Sequence, residues 1–173
     1  IVDMRLSPDA DLVAMITKTA DDAEEGTAMR TPGEGRFLHL RAIDDFDCRK
    51  VVDSERILMG EFSPDGRSYM FVRMAPEANL PAKLMRLELD SDLPPVQVGT
   101  IPLSLIGVNL MNGEIEAEKG FAWMDDDSLV FVTSAPIEVV VLDARTGTER
   151  SRLPLTLPME CRPSRINEPI DER

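Results

Sequence analysis

The sequence predicts an all-β chain built from repeated four-stranded antiparallel units. Three observations predict it. One strand–turn–strand pattern occurs three times, as RLSPDADLVAMI from Arg5, GEFSPDGRSYMFVRM from Gly60 and AWMDDDSLVFVT from Ala122. The turns lie 56 residues apart, from Ser7 to Ser63, and then 61, from Ser63 to Met124. Each pattern is followed by a further β-rich strand ending in an acidic residue, at Asp44, Asp90 and Asp143. No stretch holds apolar residues at i, i+3, i+4 and i+7 for three turns, the stripe a helix needs to bury one face.

In chain order, Ile1–Leu6 reads as a strand leading into the first turn. Asp11–Lys18 carries β-branched Val13, Ile16 and Thr17 and reads as its partner. Thr19–Gly35 is a polar loop whose acidic run Asp21–Glu25 repels itself and stays hydrated. Arg36–Asp44 is the third strand, and Cys48–Asp53 is a candidate fourth. The second unit opens at Arg56. Its turn, Pro64-Asp65-Gly66, follows from residue chemistry: Pro presets φ, Asp bonds its own backbone and Gly accepts φ > 0. Tyr69–Met74 and Lys83–Asp90 are its next strands. Leu93–Val98 holds two prolines, so a strand there belongs at an edge. Pro102–Met111 reads as strand or short helix, and Gly113–Trp123 leads into the third unit. There Leu129–Ser134 and Glu138–Asp143 are strands, and Arg145-Thr146-Gly147 turns the chain into Thr148–Leu155.

Repeated units of four antiparallel strands are the pattern of propeller blades. About three blades are expected, over residues 1–55, 56–112 and 113–156. A closed ring has roughly 4–8 blades, so the expectation is a partial β-propeller. The Pro-rich, charged tail 157–173 is expected to be irregular. Aligned on the turns, Leu6, Phe62 and Trp123 fall together, as do Asp9, Asp65 and Asp126. The first three are expected to be buried between blades, since large apolar side chains dominate such cores.

Composition narrows the function classes. A net charge of −13 and a pI near 4.5 leave no basic stripe to neutralise phosphates, which argues against nucleic acid or an anionic membrane as partner. No run approaches the ~20 apolar residues of a membrane span. Cys48 and Cys161 stand far apart without a CxxC, which fits free thiols in a reducing, intracellular compartment. The chain starts at Ile1 without a charged-then-apolar leader, so a processed, trimmed or internal piece of something longer is expected.

No residue pattern points to a catalytic, cofactor or metal site. His39 is the only His and sits in strand sequence between Leu38 and Leu40. A base needs a nucleophile within hydrogen-bond reach and a third group to orient it. Nothing in the sequence supplies these. Asp125, Asp126 and Asp127 carry oxygens suited to Ca²⁺, but adjacent turn residues diverge and no ligand ring follows. Ser7, Ser63, Ser128 and Ser134 lie in strands or turns, and no G-x-S-x-G elbow occurs. Met70, Met74 and Met85 read as fillers of irregular gaps between sheets.

The SPDG-type turns at Ser7–Ala10 and Ser63–Gly66 resemble the WD40-like repeats of TolB-type propellers. They equally resemble the amino-terminal propeller of the prolyl oligopeptidase family of serine peptidases. Within that family the order of motifs is most similar to the chloroplast glutamyl endopeptidase group. The order is a strand like Leu38–Asp44, SPDGR with an apolar strand and Arg, a strand like Lys83–Asp90, an Asn where Asn109 stands, then FAWMDDDSLVFVTSAP over Phe121–Pro136. The likeness covers roughly Leu6–Pro136 and fades beyond it. It carries over no catalytic residue, because the family's nucleophile elbow is missing from this chain. Two functions are therefore expected. One is a non-catalytic propeller serving as a protein-interaction scaffold or complex subunit. The other, implied by the resemblance, is the access-gating propeller of a serine peptidase whose hydrolase domain lies elsewhere; it would place the parent in a plastid. In both, the open faces are covered by a protein partner or by further blades.

Overall fold

The structure is a computed structural model that describes residues 3–18, 36–44, 48–50, 56–75, 80–106, 108–111, 114–117, 120–133 and 136–155. Three four-stranded sheets follow one another along the chain. The first holds β1 (Asp3–Leu6), β2 (Leu12–Lys18), β3 (Arg36–Ala42) and β4 (Cys48–Lys50). The second holds β5 (Ile57–Phe62), β6 (Ser68–Arg73), β7 (Ala82–Glu88) and β8 (Val96–Ile101). The third holds β11 (Ala122–Asp125), β12 (Ser128–Val132), β13 (Glu138–Asp143) and β14 (Glu149–Pro154). Each strand pairs with the next in sequence, antiparallel throughout. This is the all-β blade architecture the repeats predict.

Between the second and third blades the chain makes one helical turn, α1 (Leu103–Ile106), and a separate hairpin of β9 (Val108–Met111) and β10 (Glu114–Ala117). The sequence reading treated this stretch as a lead-in to the third blade and did not anticipate the hairpin. Residues 157–173, expected to be irregular, lie outside the described residues.

Alternation along the strands sends one set of side chains to each blade face. Ala14, Ile16, Leu38 and Leu40 of blade 1 meet Ile57, Phe62, Tyr69, Phe71, Met85 and Leu87 of blade 2. Phe62 and Tyr69 pack edge to face there, with ring centroids 4.8 Å apart. The other face of blade 2 offers Leu58, Met70, Val72, Leu84 and Ile101. They pack with Leu129, Phe131, Val140 and Leu142 of blade 3, joined by Leu105 and Ile106 of α1. Each large apolar side chain buried this way is worth about 1.5–3 kcal/mol before the entropy of ordering it. Met70, Met74 and Met85 are all buried in these two seams, the gap-filling role expected of them.

Blades 2 and 3 also touch backbone to backbone. A Cβ built on Gly99 of β8 would lie 2.7 Å from the Cα of Gly147, in the turn between β13 and β14. Only glycines allow that approach.

Two burial expectations need correction. Leu6 is not buried: it is 57% exposed, on the face of blade 1 turned away from blade 2. Its neighbour Arg5 takes the inward position opposite Ala14. Phe62 is buried as expected, at 4% exposure. Trp123 is partly buried and packs against the seam between blades 2 and 3. Turn alignment made Leu6 and Phe62 equivalent in sequence. Their surroundings differ because blade 2 has a neighbour on both sides and blade 1 has one.

Candidate functional site

The three turns are built by the same chemistry. In blade 2, Ser63 Oγ donates to Asp65 Oδ1 at 2.6 Å and accepts from the Ser68 N–H at 2.9 Å. Asp65 Oδ1 also accepts from the Arg67 N–H at 3.0 Å. In blade 1 the hydroxyl of Ser7 bonds the Asp9 carboxylate and accepts from the Leu12 N–H at 2.9 Å. Gly66 has φ 69°, and Ala10 occupies the matching place at φ 61°, where a side chain costs free energy. Blade 3 uses a tighter turn. There Asp125, rather than the Asp126 expected from the alignment, accepts from a backbone N–H two residues on, that of Asp127, at 2.9 Å.

These hydrogen bonds stabilise the ionised carboxylates. The Ser63 hydroxyl, foremost, and the Arg67 N–H hold Asp65 below the usual carboxylate range. Ser7 does the same for Asp9, and Ser128 for Asp125. Asp143 is lowered furthest, chiefly by its bond from Arg150 and also by the N–H groups of Arg145 and Thr146. Arg150 adds a bond to the buried Ser128 at 2.7 Å, joining the two turns of blade 3.

In every blade the second acidic turn lies on the first. The N–H of Ile43 donates to Asp11 O, that of Leu89 to Arg67 O and that of Ala144 to Asp127 O. The same end of each blade therefore carries carboxylates: exposed Asp9, Asp11 and Asp44, then Asp65, Asp90 and Asp92, then Asp125 and Asp126 with the half-buried Asp143. Sequence reading saw each Asp as local turn chemistry. Only the pairing of the turns gathers them at one blade end.

Inner strands hold a second charged group. Arg5 Nε of β1 lies 3.6 Å from Glu61 Oε2 of β5 and 3.4 Å from Asp3 Oδ2. Burial raises the Glu61 carboxyl, with Arg5 opposing the shift. Burial also pushes the Tyr69 phenol up.

His39 lies on β3, on the open face of blade 1, with its Nε2 2.9 Å from Thr17 Oγ1. Asp127 pairs with Arg145 at 2.8 Å, so the three turn aspartates diverge into turn and ion-pair roles. Among the described residues, no group of three or more His, Cys, Asp or Glu is placed to hold a metal ion. Ser7, Ser63 and Ser128 are buried in turn hydrogen bonds. Ser134 and Cys161 lie outside the described residues, as does the side chain of Cys48. Trp123 Nε1 is buried without a hydrogen-bond partner, a cost the sequence does not reveal.

The two outer blade faces are apolar. On blade 1 the register places Met4, Leu6, Val13, Met15 and Phe37 on one face with Thr17, His39 and Arg41. Met4 and Leu6 are 59% and 57% exposed. On blade 3 the outer face carries Ala122, Val130, Val132, Val139, Val141 and Leu153. Among the described residues, no helix is long and apolar enough to cross a membrane.

No protein-family profile and no curated protein matches the chain. Solved structures do. The β-propeller domain of the Trilobed protease from Pyrococcus furiosus, of open velcro topology, is similar at a TM-score of 0.54 and 16% identity, over 89% of this chain and 42% of that one. A putative dipeptidyl aminopeptidase IV from Bacteroides ovatus is similar at 0.52 and 12%, over 83% of this chain and 23% of that one. A variant of the AtxE2 isopeptidase is similar at 0.51 and 17%, over 87% and 28%. The chain thus spans less than half the length of each. At these identities the likeness is one of fold, and that fold is three consecutive blades of β-propeller type.

Proposed function

We propose that this chain is a non-catalytic propeller module that works by protein contact, as a scaffold or as one part of a larger assembly. One observation carries the reading. Both terminal blade faces present apolar rows, Met4 and Leu6 with Val13 and Met15, and Val130 and Val132 with Val139. Blade cores form by stacking, so such faces belong against something. Exposed apolar surface of this kind marks interaction sites.

A second reading is favoured by the comparisons. The chain would be the access-gating propeller of a prolyl oligopeptidase-like serine peptidase, of the glutamyl endopeptidase kind. The motif order from Leu6 to Pro136 supports it, as does the fold likeness to the propeller of one protease and to two other peptidases. Under this reading the catalytic domain belongs to the same parent, and a plastid is the expected compartment. A reducing compartment, with Cys48 and Cys161 as thiols, suits both readings.

The deciding experiment is an active-site serine probe applied to the native source, with antibody against this chain. A labelled species larger than this chain, carrying a G-x-S-x-G segment downstream, supports the peptidase. An unlabelled species in a stable complex supports the scaffold. A monomeric, unlabelled protein with no associated chain contradicts both.

A further inference from the structure

We infer that the seam between blades 1 and 2 ends in a binding site for one small multivalent oxyanion, a phosphate or a polycarboxylate. The register builds it. On blade 2, Phe71 and Met85 face blade 1, and Arg73 and Lys83 continue their rows, directly opposite each other. Ile57, which also faces blade 1, pairs with Arg73. On blade 1, Leu38 and Leu40 face blade 2, and Arg36 continues that row, with Lys18 opposite it in register. Arg5 and Glu61, each two residues before the serine of its turn, meet at 3.6 Å. Blades 1 and 2 are therefore level. Their basic rows lie at the same end of the seam, away from the acidic turns, and β3 packs on β5 across it.

Arg56 adds the observation that points to a ligand. It stands directly before Ile57, and its C=O accepts from the Met74 N–H at 2.9 Å. Its φ is +93°, a conformation that costs an arginine free energy. Its Nε is buried without a hydrogen-bond partner. An unpaired buried donor on a charged group is costly, and an oxyanion satisfies it through the planar guanidinium fork. Arg36, Arg56, Arg73 and Lys83 are all half-buried, partly out of water yet reachable from it. Arg36 and Arg73 each have an interaction within the chain, so they contribute charge at the site, not vacant donors. Among the described residues, neither row holds a carboxylate.

The net charge of −13 repels anions from the chain as a whole, but distance decides at this site. Strand β6 runs from the acidic turn to Arg73, a span of about 17 Å at roughly 3.4 Å per residue. That is about two screening lengths, since exposed charges are screened within ~8 Å at physiological ionic strength. The nearby cations therefore prevail. Lys18, Arg36, Arg56, Arg73 and Lys83 suit one small oxyanion, not the repeated phosphates of a nucleic acid. The site lies inside the chain, so what covers the two terminal faces does not bear on it.

The test is isothermal titration calorimetry of the purified full chain with sodium pyrophosphate and, separately, with citrate, at fixed ionic strength. Saturable one-to-one binding is expected. Arg56→Gln should weaken it about 10–100-fold, the loss of one charged hydrogen-bonding group. Lys83→Gln should weaken it too, and Arg67→Gln, at the acidic end, should leave it unchanged. Urea midpoints verify that each variant folds. If Arg56→Gln does not fold, Lys83→Gln, a half-exposed strand residue, carries the comparison. Binding of pyrophosphate alone identifies a phosphate ligand, and binding of citrate alone a polycarboxylate. Equal binding of both identifies a site that reads charge. No saturable binding of either anion by the wild type overturns the site. Binding that Arg56→Gln and Lys83→Gln leave intact, or that Arg67→Gln weakens equally, overturns it as well.

Discussion

Four glycines separate two costs, lack of space and a left-handed backbone. Gly120, Gly66, Gly99 and Gly147 are each replaced by Ala, and urea midpoints are read at one protein concentration. A Cβ on Gly120 meets nothing within 4 Å, and its φ is not positive. Gly120→Ala should therefore stabilise by about 0.4–1 kcal/mol, through the lower entropy of the unfolded chain. Gly66 has room, with Pro8 Cδ at 3.8 Å and Asp9 Oδ2 at 3.9 Å, but its φ is +69°. The left-handed backbone costs ~1–2 kcal/mol with a side chain, and the unfolded-state gain offsets part of it, leaving a loss of about 1.

Gly99 presents the opposite case. Its φ is not positive, but its Cβ would lie 2.7 Å from Gly147 Cα and 3.1 Å from Thr146 O. Both obstacles are backbone, so blades 2 and 3 must part, at a cost of roughly 1–3 kcal/mol. Gly147 combines φ +67° with the same 2.7 Å approach, and its substitution should cost about 2–5 kcal/mol. The double variant should cost less than the two singles together, because one displacement of the blades relieves both clashes. Gly99→Ala proving as harmless as Gly120→Ala would refute the crossing of these backbones. Gly147→Ala costing no more than Gly66→Ala would do the same.

Other predictions follow from single residues. Ala10→Gly should raise the thermal midpoint, since relief of the 61° φ outweighs the added chain entropy, by about 0.5 kcal/mol; a lowered midpoint contradicts the turn geometry. Ser63→Ala leaves the Ser68 N–H without its partner and should cost about 1–3 kcal/mol, with faster hydrogen exchange at that amide. Trp123→Phe deletes an unpaired buried donor, so its loss should be under about 1 kcal/mol, well below the ~3–5 expected of Trp→Ala. Acid should weaken the fold through Asp9, Asp65, Asp125 and Asp143, whose folded values are lowered. Such groups stabilise fully above the unfolded value near 4 and lose that contribution as pH falls through the folded values. Urea midpoints that do not fall between pH 5 and 2 would contradict this. Glu61 acts in the opposite sense, its raised carboxyl adding a cost as pH rises through its folded value.

Strand order was legible because turns and alternation are local. SPDG fixes a turn whatever surrounds it, and the run after each turn states its period within six residues. The β9–β10 hairpin was legible and was overlooked: Asn112-Gly113 stands between the two strands in the sequence, the residue pair that most favours a two-residue hairpin connection. The exposure of Leu6 was not legible, because burial belongs to the neighbouring blade and not to the turn. Asp125 displaced Asp126 as the turn acceptor because the third turn is shorter, a register fact that an ungapped alignment hides.

Function is harder to read for a physical reason. The Ser–Asp pairs at Ser7–Asp9 and Ser63–Asp65 are polar, acidic and perturbed, the features that elsewhere mark chemistry. Here their hydrogen bonds end on backbone N–H groups of the same turn, so the perturbation is used in folding. His39 likewise spends its Nε2 on Thr17 within its own sheet. Part of what the structure leaves unspent is apolar and lies at the two ends of the blade stack. Met4 and Leu6 stand out on one face, and Leu153 on the other. A strand pattern read alone assigns such residues to a core. Whether a core exists depends on the next sheet, and at both ends that sheet is not among the three described. The information about function therefore lies in the mismatch between pattern and burial, visible only when both are compared residue by residue.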